Sequence, residues 1–477
     1  MKPTLYNFQN KIETDILYSM KQGYKSPLVV SPTGSGKTII FCDIAEKAKA
    51  KGKKALIITH RRELYKQTSA ALTAIEVKHG LIIPKKPLTA DQIQVASVQT
   101  LIRRLDKIQT PDIIILDEAH HSPSKTWSRI IDRFPDAYLV GVTATPCRLD
   151  GKPLGKEKGG FFDVLIQGPS VKQLIAQGYL SDYVVYRPPL PVDFADVKVK
   201  YGDYELTALE EKLNKRSITG DVIEHYKKLS YDSPAIAFCC TVAHAVAVAD
   251  EFISAGIPAS VIDGSMDFKT RDNRIQSLAE GRCKVLCSCD VISEGTDIPI
   301  VTTGILLRPT QSMALYLQQV GRCGRIHDQK KHAIILDHVG NSIRHGLPDE
   351  ERFWSLTENA QKARQKRNTD EGMVLRQCSK CYRVHAVAPV CPYCGYVYKV
   401  KDRTPEMIAG DLEVAEKEKA ERLRLEQLQF KKDRAKAGSL EELIQVGLRK
   451  GMAQHNAVAW AGHVFNGRKL KRERKLG

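Results

Sequence analysis

Ser31-Pro32-Thr33-Gly34-Ser35-Gly36-Lys37-Thr38 constrains this 477-residue chain more tightly than any other stretch. It follows the apolar run Leu28-Val29-Val30 and leads into Thr38–Lys49, where Ile40, Ile44 and Ala48 recur at helical spacing. Strand, glycine loop and helix in succession are the context of a phosphate-binding loop. Glycines let successive backbone N–H groups turn onto phosphate oxygens, and the helix N-terminus adds a positive dipole end. Thr33, Gly34, Ser35 and Gly36 would form the cradle, Lys37 would reach the outer phosphates, and the Thr38 hydroxyl would ligate Mg²⁺. Ser31 departs from the strict pattern, which has Gly there. For the loop alone, the competing reading is an ordinary glycine turn capping a helix.

Beyond the loop, unbroken apolar runs alternate with helical segments. Ala55-Leu56-Ile57-Ile58, Val95-Ala96-Ser97-Val98, Ile113-Ile114-Ile115-Leu116 and Tyr138–Val142 read as strands, with a helix over Arg61–Ile75. Such runs belong to a parallel sheet covered on both faces. Open sheets of this kind place their sites at the carboxyl ends of the strands. There Asp117-Glu118-Ala119-His120 offers a carboxylate to hold Mg²⁺ and a second to polarise an attacking water. Thr143 and Thr145 end the next strand with hydroxyls suited to a relay. Thr59-His60-Arg61-Arg62 and Ser97-Val98-Gln99-Thr100 end two others with phosphate donors or helix caps. Gln9, ahead of a helix reaching Lys21, has an amide that can pair with both edges of adenine.

Residues 150–215 break the alternation, and Arg187-Pro188-Pro189-Leu190-Pro191 cannot be helix or inner strand. The pattern resumes with strands at Ala235–Phe238, Ser260–Ile262, Val285–Cys287, Ile305–Leu307 and Ala333–Leu336. This second sheet lacks a phosphate loop but carries two loaded segments. Ser293–Pro299 offers Gly295 for close approach and Asp297 for a ribose hydroxyl. Gln318–Arg325 sets Arg322 and Arg325 one helical turn apart, a spacing that fits a γ-phosphate.

Composition narrows the partner. The formal net charge is +18, and residues 431–477 hold twelve Lys and Arg against four Asp and Glu. A polyanion, above all nucleic acid, is the expected partner, against a solvated basic tail kept for solubility. No apolar run approaches the ~18 residues of a membrane span, and Met1-Lys2-Pro3-Thr4 has no apolar signal core. A cytoplasmic protein with no membrane partner is expected.

Four of the twelve cysteines stand apart: Cys378, Cys381, Cys391 and Cys394 form a double CxxC, the pattern of a tetrahedral structural Zn²⁺, with a redox dithiol pair as the alternative. The other eight, mostly in apolar runs, read as small core residues. Lys380, Tyr382, Arg383, Tyr393, Tyr396 and Tyr398 add basic and aromatic character suited to nucleic acid. Glu406–Ala437 reads as a long solvated helix, and Ser439-Leu440-Glu441-Glu442 opens another through a capping box. The run Arg468–Lys475 is expected to stay disordered until it meets phosphate.

Together, TGSGKT, DEAH, TAT, SEGTDIP and QxxGRxxR resemble, in order and spacing over residues 5–345, the superfamily 2 helicases with a DEAH-type box. Leu307-Arg308-Pro309-Thr310 and the trailing cysteine module are most similar to the bacterial and phage RadD-like helicases. The resemblance implies an α/β fold of two RecA-like parallel-sheet lobes in tandem, with ATP between them and nucleic acid across both. A zinc ribbon and a helical basic region would follow. The expected boundaries are lobe 1 at 1–165, a crossing at 166–215, lobe 2 at 216–370, the ribbon at 371–400 and the tail at 401–477. It also implies roles. Gln9 would recognise adenine, Thr33–Thr38 would bind phosphate and Mg²⁺, and Asp117 and Glu118 would hold metal and activate water. His120 would couple the lobes, Asp297 would touch the ribose, and Arg322 and Arg325 would reach the γ-phosphate. The activity implied is an ATP-dependent helicase or translocase on DNA; an ATP-gated clamp with little unwinding, or an RNA helicase, are the alternatives.

Overall fold

The computed structural model describes residues 4–121, 125–148, 153–187, 197, 199–200, 203–205, 216–291, 298–357, 375–398, 429–430, 432–450, 452 and 454–476. The chain divides into a unit spanning Met1–Tyr398 and a second spanning Lys399–Gly477.

The first lobe is a seven-stranded parallel sheet. Its strands are β1 (Pro27–Val30), β2 (Ala55–Thr59), β3 (Gly80–Ile82), β4 (Ile93–Ser97), β5 (Ile113–Asp117), β6 (Tyr138–Thr143) and β7 (Val164–Gln167), ordered β3-β4-β2-β5-β6-β1-β7. Successive strand residues point to opposite faces, so each strand feeds two cores. Val29, Ile57, Val95, Ile115 and Val140 pack on one side, and Leu28, Leu56, Ala96, Ile114 and Leu139 on the other. Burial on both faces is why these runs show no polar alternation.

The second lobe repeats the plan with β8 (Tyr183–Tyr186), a hairpin of β9 (Val199–Lys200) and β10 (Asp203–Tyr204), then β11 (Ala235–Phe238), β12 (Ala259–Ile262), β13 (Val285–Ser288), β14 (Thr303–Leu306) and β15 (Ala333–Asp337). Its six-stranded parallel sheet is ordered β12-β13-β11-β14-β15-β8. The cysteines outside the double CxxC are buried, apart from the half-buried Cys147.

The segment read as a crossing is partly sheet. β7 pairs with β1 along the edge of the first sheet, and β8 pairs with β15 along the edge of the second. The lobes therefore meet at Gly168–Ser170, and the second begins well before residue 216, because Tyr183-Val184-Val185-Tyr186 is a short strand just ahead of the proline run. A second passage runs the other way. Trp354 and Leu356 pack against the first lobe's core, and Gln167 is hydrogen-bonded to the backbone of Arg352 and Trp354.

After residue 374 come β16 (Leu375–Gln377) and β17 (Val384–Ala386), an antiparallel pair docked against β8 through a bridge between Tyr186 and Arg383. An edge strand with unpaired N–H and C=O groups is thereby covered.

In the second unit, helices Leu440–Arg449 and Gln454–Leu476 pack through Leu443, Val446 and Ala461. Ser439 and Glu442 form the capping box. Arg468–Lys475 lies inside the second helix instead of being disordered, since Arg, Lys, Leu and Glu all sustain helix. Most of Glu406–Ala437 lies outside the described residues. Among the described residues no helix is long and apolar enough to cross a membrane.

Candidate active site

The loop after β1 turns on itself before the helix Lys37–Ala50. Gly36 caps that helix with φ +76°, and a Cβ there would lie 2.5 Å from Gln9 Nε2. Only glycine fits both the backbone and the space. Ser31, the departure from the strict pattern, ties the loop together through its side chain, whose Oγ hydrogen-bonds Ser35 Oγ at 2.7 Å. Lys37 Nζ donates to the carbonyls of Ser31 and Pro32 at 3.3 and 3.2 Å.

Gln9 is buried against this loop. Its Nε2 donates to the Ser35 carbonyl at 3.0 Å, and its Oε1 accepts from the Tyr6 N–H at 2.9 Å. The amide thus braces the loop with one donor and one lone pair to spare.

Asp117 ends β5, and Glu118 follows with φ 49°. A side chain in that left-handed region costs about 1–2 kcal/mol, offset in part by the Glu118 N–H donating to Asp117 Oδ1 at 3.0 Å. His120 is fixed by a chain of hydrogen bonds. The Thr143 hydroxyl donates its single proton to the Thr145 carbonyl at 3.0 Å, so it accepts from His120 Nδ1–H, also at 3.0 Å. Glu118 Oε2 lies 3.4 Å from the same nitrogen. With Nδ1 protonated, Nε2 is an acceptor, and Gln318 Nε2 donates to it at 3.3 Å from the second lobe. Thr145 Oγ1 is buried with no hydrogen-bond partner among the described residues.

Gln318 lies on the helix Met313–Cys323, which also carries Arg322. That helix abuts the phosphate loop so closely that a Cβ on Gly321 would sit 2.7 Å from Thr33 Cβ. Lys37, Asp117, Glu118, Arg322 and Arg325 consequently line one cleft of about 590 Å³. Their charges register each other. Burial lowers the Lys37 pKa, the carboxylates of Glu118 and Asp117 raise it again, and the guanidiniums of Arg322 and Arg325 lower it further. Burial pushes Arg325 down to about 10. Cations gathered with too few carboxylates make a site for a polyanion. Thr38 and Asp117 in the same cleft fit a divalent metal bound by oxygen, usually in part through water. Gly295 and Asp297 lie outside the described residues.

Sequence reasoning missed several residues. Tyr6, Phe8 and Tyr179 form an aromatic cluster at the mouth of the cleft, with ring centroids 4.3 Å apart for Tyr6 and Tyr179 and 5.2 Å for Phe8 and Tyr179. Tyr6 and Phe8 lie just ahead of Gln9 and were a legible signal; Tyr179 arrives from the passage between lobes and gave none. Lys330 is the other omission. Its ammonium donates to the carbonyls of Val301 at 2.9 Å, Arg325 at 2.6 Å and Cys323, and Ser181 Oγ also donates to the Arg325 carbonyl at 3.0 Å. This clamp holds the turn that presents Arg325.

Three N–H donors meet three carbonyls, and burial pushes Lys330 down to about 8, with Cys323 raising it and Arg325 lowering it. Any turnover that relies on the placement of Arg325 should be full below that pH and fall as pH rises through it, because the neutral amine has only two donors. Lys330→Met, which removes all three donors, is expected to lower kcat by at least about 10- to 100-fold, with little change in KM. Lys330→Arg keeps the charge and should carry the activity plateau to higher pH; steady-state pH profiles check both.

A second centre lies in the ribbon. The sulfurs of Cys378, Cys381, Cys391 and Cys394 all lie within 4.8 Å of one another, with Cys378–Cys394 at 3.6 Å and Cys381–Cys391 at 3.8 Å. Tetrahedral Zn–S bonds of about 2.3 Å need sulfurs roughly 3.8 Å apart, so the set is compatible with Zn²⁺. The Lys380 N–H donates to Cys378 Sγ at 3.4 Å, as a thiolate would favour.

Comparison with known proteins adds independent findings. The family model for the type III restriction enzyme res subunit matches residues 2–148, and that for the helicase conserved C-terminal domain matches residues 215–327. A 51.5 kDa protein of Lactococcus phage (isolate 7-9) is 33% identical over 412 residues, covering 85% of this chain and 86% of that one. A Saccharomyces cerevisiae protein that carries an ATP-dependent helicase name, Irc3, is 31% identical over 71% of this chain, which spans only 52% of it. More distant relatives bear both DNA-translocase and RNA-helicase names. Among solved structures, a fragment described as an HsdR subunit of a type I restriction enzyme from Vibrio vulnificus YJ016 shares the fold. Its TM-score is 0.56 at 21% identity, covering 73% of this chain and 67% of that one.

Proposed function

Because this chain belongs to the superfamily 2 helicases, enzymes that hydrolyse ATP and act on nucleic acid, we propose that it is a DNA translocase or helicase of the DEAH-type, RadD-like branch. The observation that carries this reading is the single cleft lined by Lys37 from one lobe and Arg322 and Arg325 from the other. ATP would lie with its phosphates on Thr33–Thr38 and its base against Tyr6, Phe8 and Tyr179, beside Gln9. Mg²⁺, held by Thr38 and Asp117, would neutralise charge on the phosphates. Glu118 would orient and polarise the attacking water, while Arg322 and Arg325 would stabilise charge developing on the transferred phosphoryl group. The charge contact of Glu118 with His120 and the hydrogen bond from Gln318 to the far side of that ring would tie the hydrolysis site to the helix carrying Arg322, so that product release reopens the cleft.

The restriction-enzyme name of the first-lobe model supports DNA as the substrate, and the +18 charge supports a polyanion of either kind. ATP turnover measured with single-stranded DNA, duplex DNA and RNA decides between them. We expect stimulation by DNA and little by RNA; equal stimulation by RNA would remove the DNA assignment, and none by any polynucleotide would remove the motor. A strand-displacement assay run alongside separates helicase from clamp, since turnover without displacement favours the clamp or a pure translocase.

A further inference from the structure

The ribbon and the second lobe enclose a cavity of their own. About 150 Å³ in volume, it lies between the carboxyl ends of β8 and β15, the helix Arg216–Ser230 and the first cysteine turn. It lies at the end of the sheet where open α/β folds place ligands.

Its chemistry is selective. Arg187 and Lys228 supply positive charge, and among the described residues no carboxylate lines the cavity. Arg187 Nε and His338 Nε2 are buried with no hydrogen-bond partner among those residues. Burial, reinforced by His225, drives His338 down to about 3, so the ring is neutral and offers a base edge one donor or one acceptor. Tyr186 and Tyr382 add aromatic wall, and Leu229 and Leu336 apolar wall.

The backbone at Tyr382 is the most informative feature. The two cysteine turns are equivalent: the Tyr382 N–H donates to the Cys378 carbonyl at 2.9 Å, as the Gly395 N–H donates to that of Cys391 at 3.0 Å. Both residues follow the second cysteine of a pair, and both are left-handed, with φ 59° and 69°. Glycine adopts that conformation without strain and tyrosine does not. The first turn thus keeps a strained aromatic where its twin has glycine. The ring of that residue lines the cavity, 5.7 Å from Lys228 Nζ. Strain of this kind gathers at ligand sites.

We propose that this seam holds one unstacked nucleotide of a nucleic-acid strand. Its base would lie against Tyr382 with an edge to His338, and its phosphate on Lys228 and Arg187. A free phosphate would leave the aromatic and apolar walls without purpose, and an apolar ligand would leave the guanidinium and imidazole unpaired. The inference rests on the nucleic-acid reading above and deepens it.

Anisotropy titrations of the full chain with a labelled single strand, and with the same strand made abasic, test it. Tyr382→Gly and His338→Leu should each weaken the base-bearing strand about tenfold and leave the abasic strand unchanged. Lys228→Ala, at an exposed position, should weaken both and reduce the slope of log affinity against log salt by about 0.7. Because Tyr382→Gly relieves backbone strain, thermal unfolding should show it at least as stable as the wild type, so that lost affinity is not lost fold. Wild-type affinity in Tyr382→Gly and His338→Leu would overturn the proposal, as would equal losses on both strands. If the wild type binds neither strand, the parent reading fails with it, and the wild-type titration alone identifies that case.

Discussion

Replacing Arg322 or Arg325 with Ala should lower kcat for stimulated ATP hydrolysis by about 10³-fold or more, with a far smaller change in KM. The asymmetry follows from where charge develops. In the proposed reaction Lys37 and the loop N–H groups would meet the triphosphate in its ground state, whereas guanidiniums aimed at the transferred group would gain most in the transition state. Arg325 is buried deeply enough to be pushed down to about 10, so its Ala variant removes a desolvated cation rather than a surface charge. Glu118→Gln should be as severe while retaining ATP binding, and Lys37→Ala should lose both. Steady-state turnover alongside equilibrium nucleotide binding separates the three. A variant of Glu118 or Lys37 that kept stimulated turnover would show that the chemistry lies elsewhere.

Removing metal from the ribbon should unfold it alone. β16 and β17 have three residues each, and a two-stranded hairpin of that size is marginal in water. Within the ribbon the buried residues are few, Val384, His385, Cys378 and Cys391 among them. Structural zinc contributes about 10–16 kcal/mol in small peptide sites, far more than this hairpin can gain by packing. We expect about one zinc per chain by elemental analysis. Chelation, or Cys391→Ser, should bring rapid amide exchange across residues 375–398 while the core strands of both lobes stay protected. Protein free of metal with a protected ribbon would exclude the structural-zinc reading, and reactivity governed by reductant instead of chelator would favour a dithiol pair.

What the sequence made legible was local or strictly patterned. The phosphate loop, the acidic pair at the end of β5 and the arginine turn each sit within a few residues, so spacing alone exposes them. The two sheets were legible because strands buried on both faces read as unbroken apolar runs. Tyr179, Lys330 and His338 were not, because their neighbours come from distant passages of the chain. Lys330 is an ordinary charged residue until three carbonyls converge on it. The short strands β7 and β8 were absorbed into a supposed crossing because proline and glycine dominate the stretch around them. Gln9 was legible as an amide able to pair with a base, but not its bracing contacts with the Ser35 carbonyl and the Tyr6 N–H, which come from two separate segments.

The return of the chain from the second lobe to the first has a mechanical corollary. Among the described residues, Gly168–Ser170 and the segment holding Arg352–Leu356 stitch the two sheets together at two places, the second pinned to Gln167. A body hung from a single thread can swivel about any direction, but one hung from two turns chiefly about the line joining them. Nucleotide binding and release should accordingly swing the halves like covers on a spine, confining the motion to one arc.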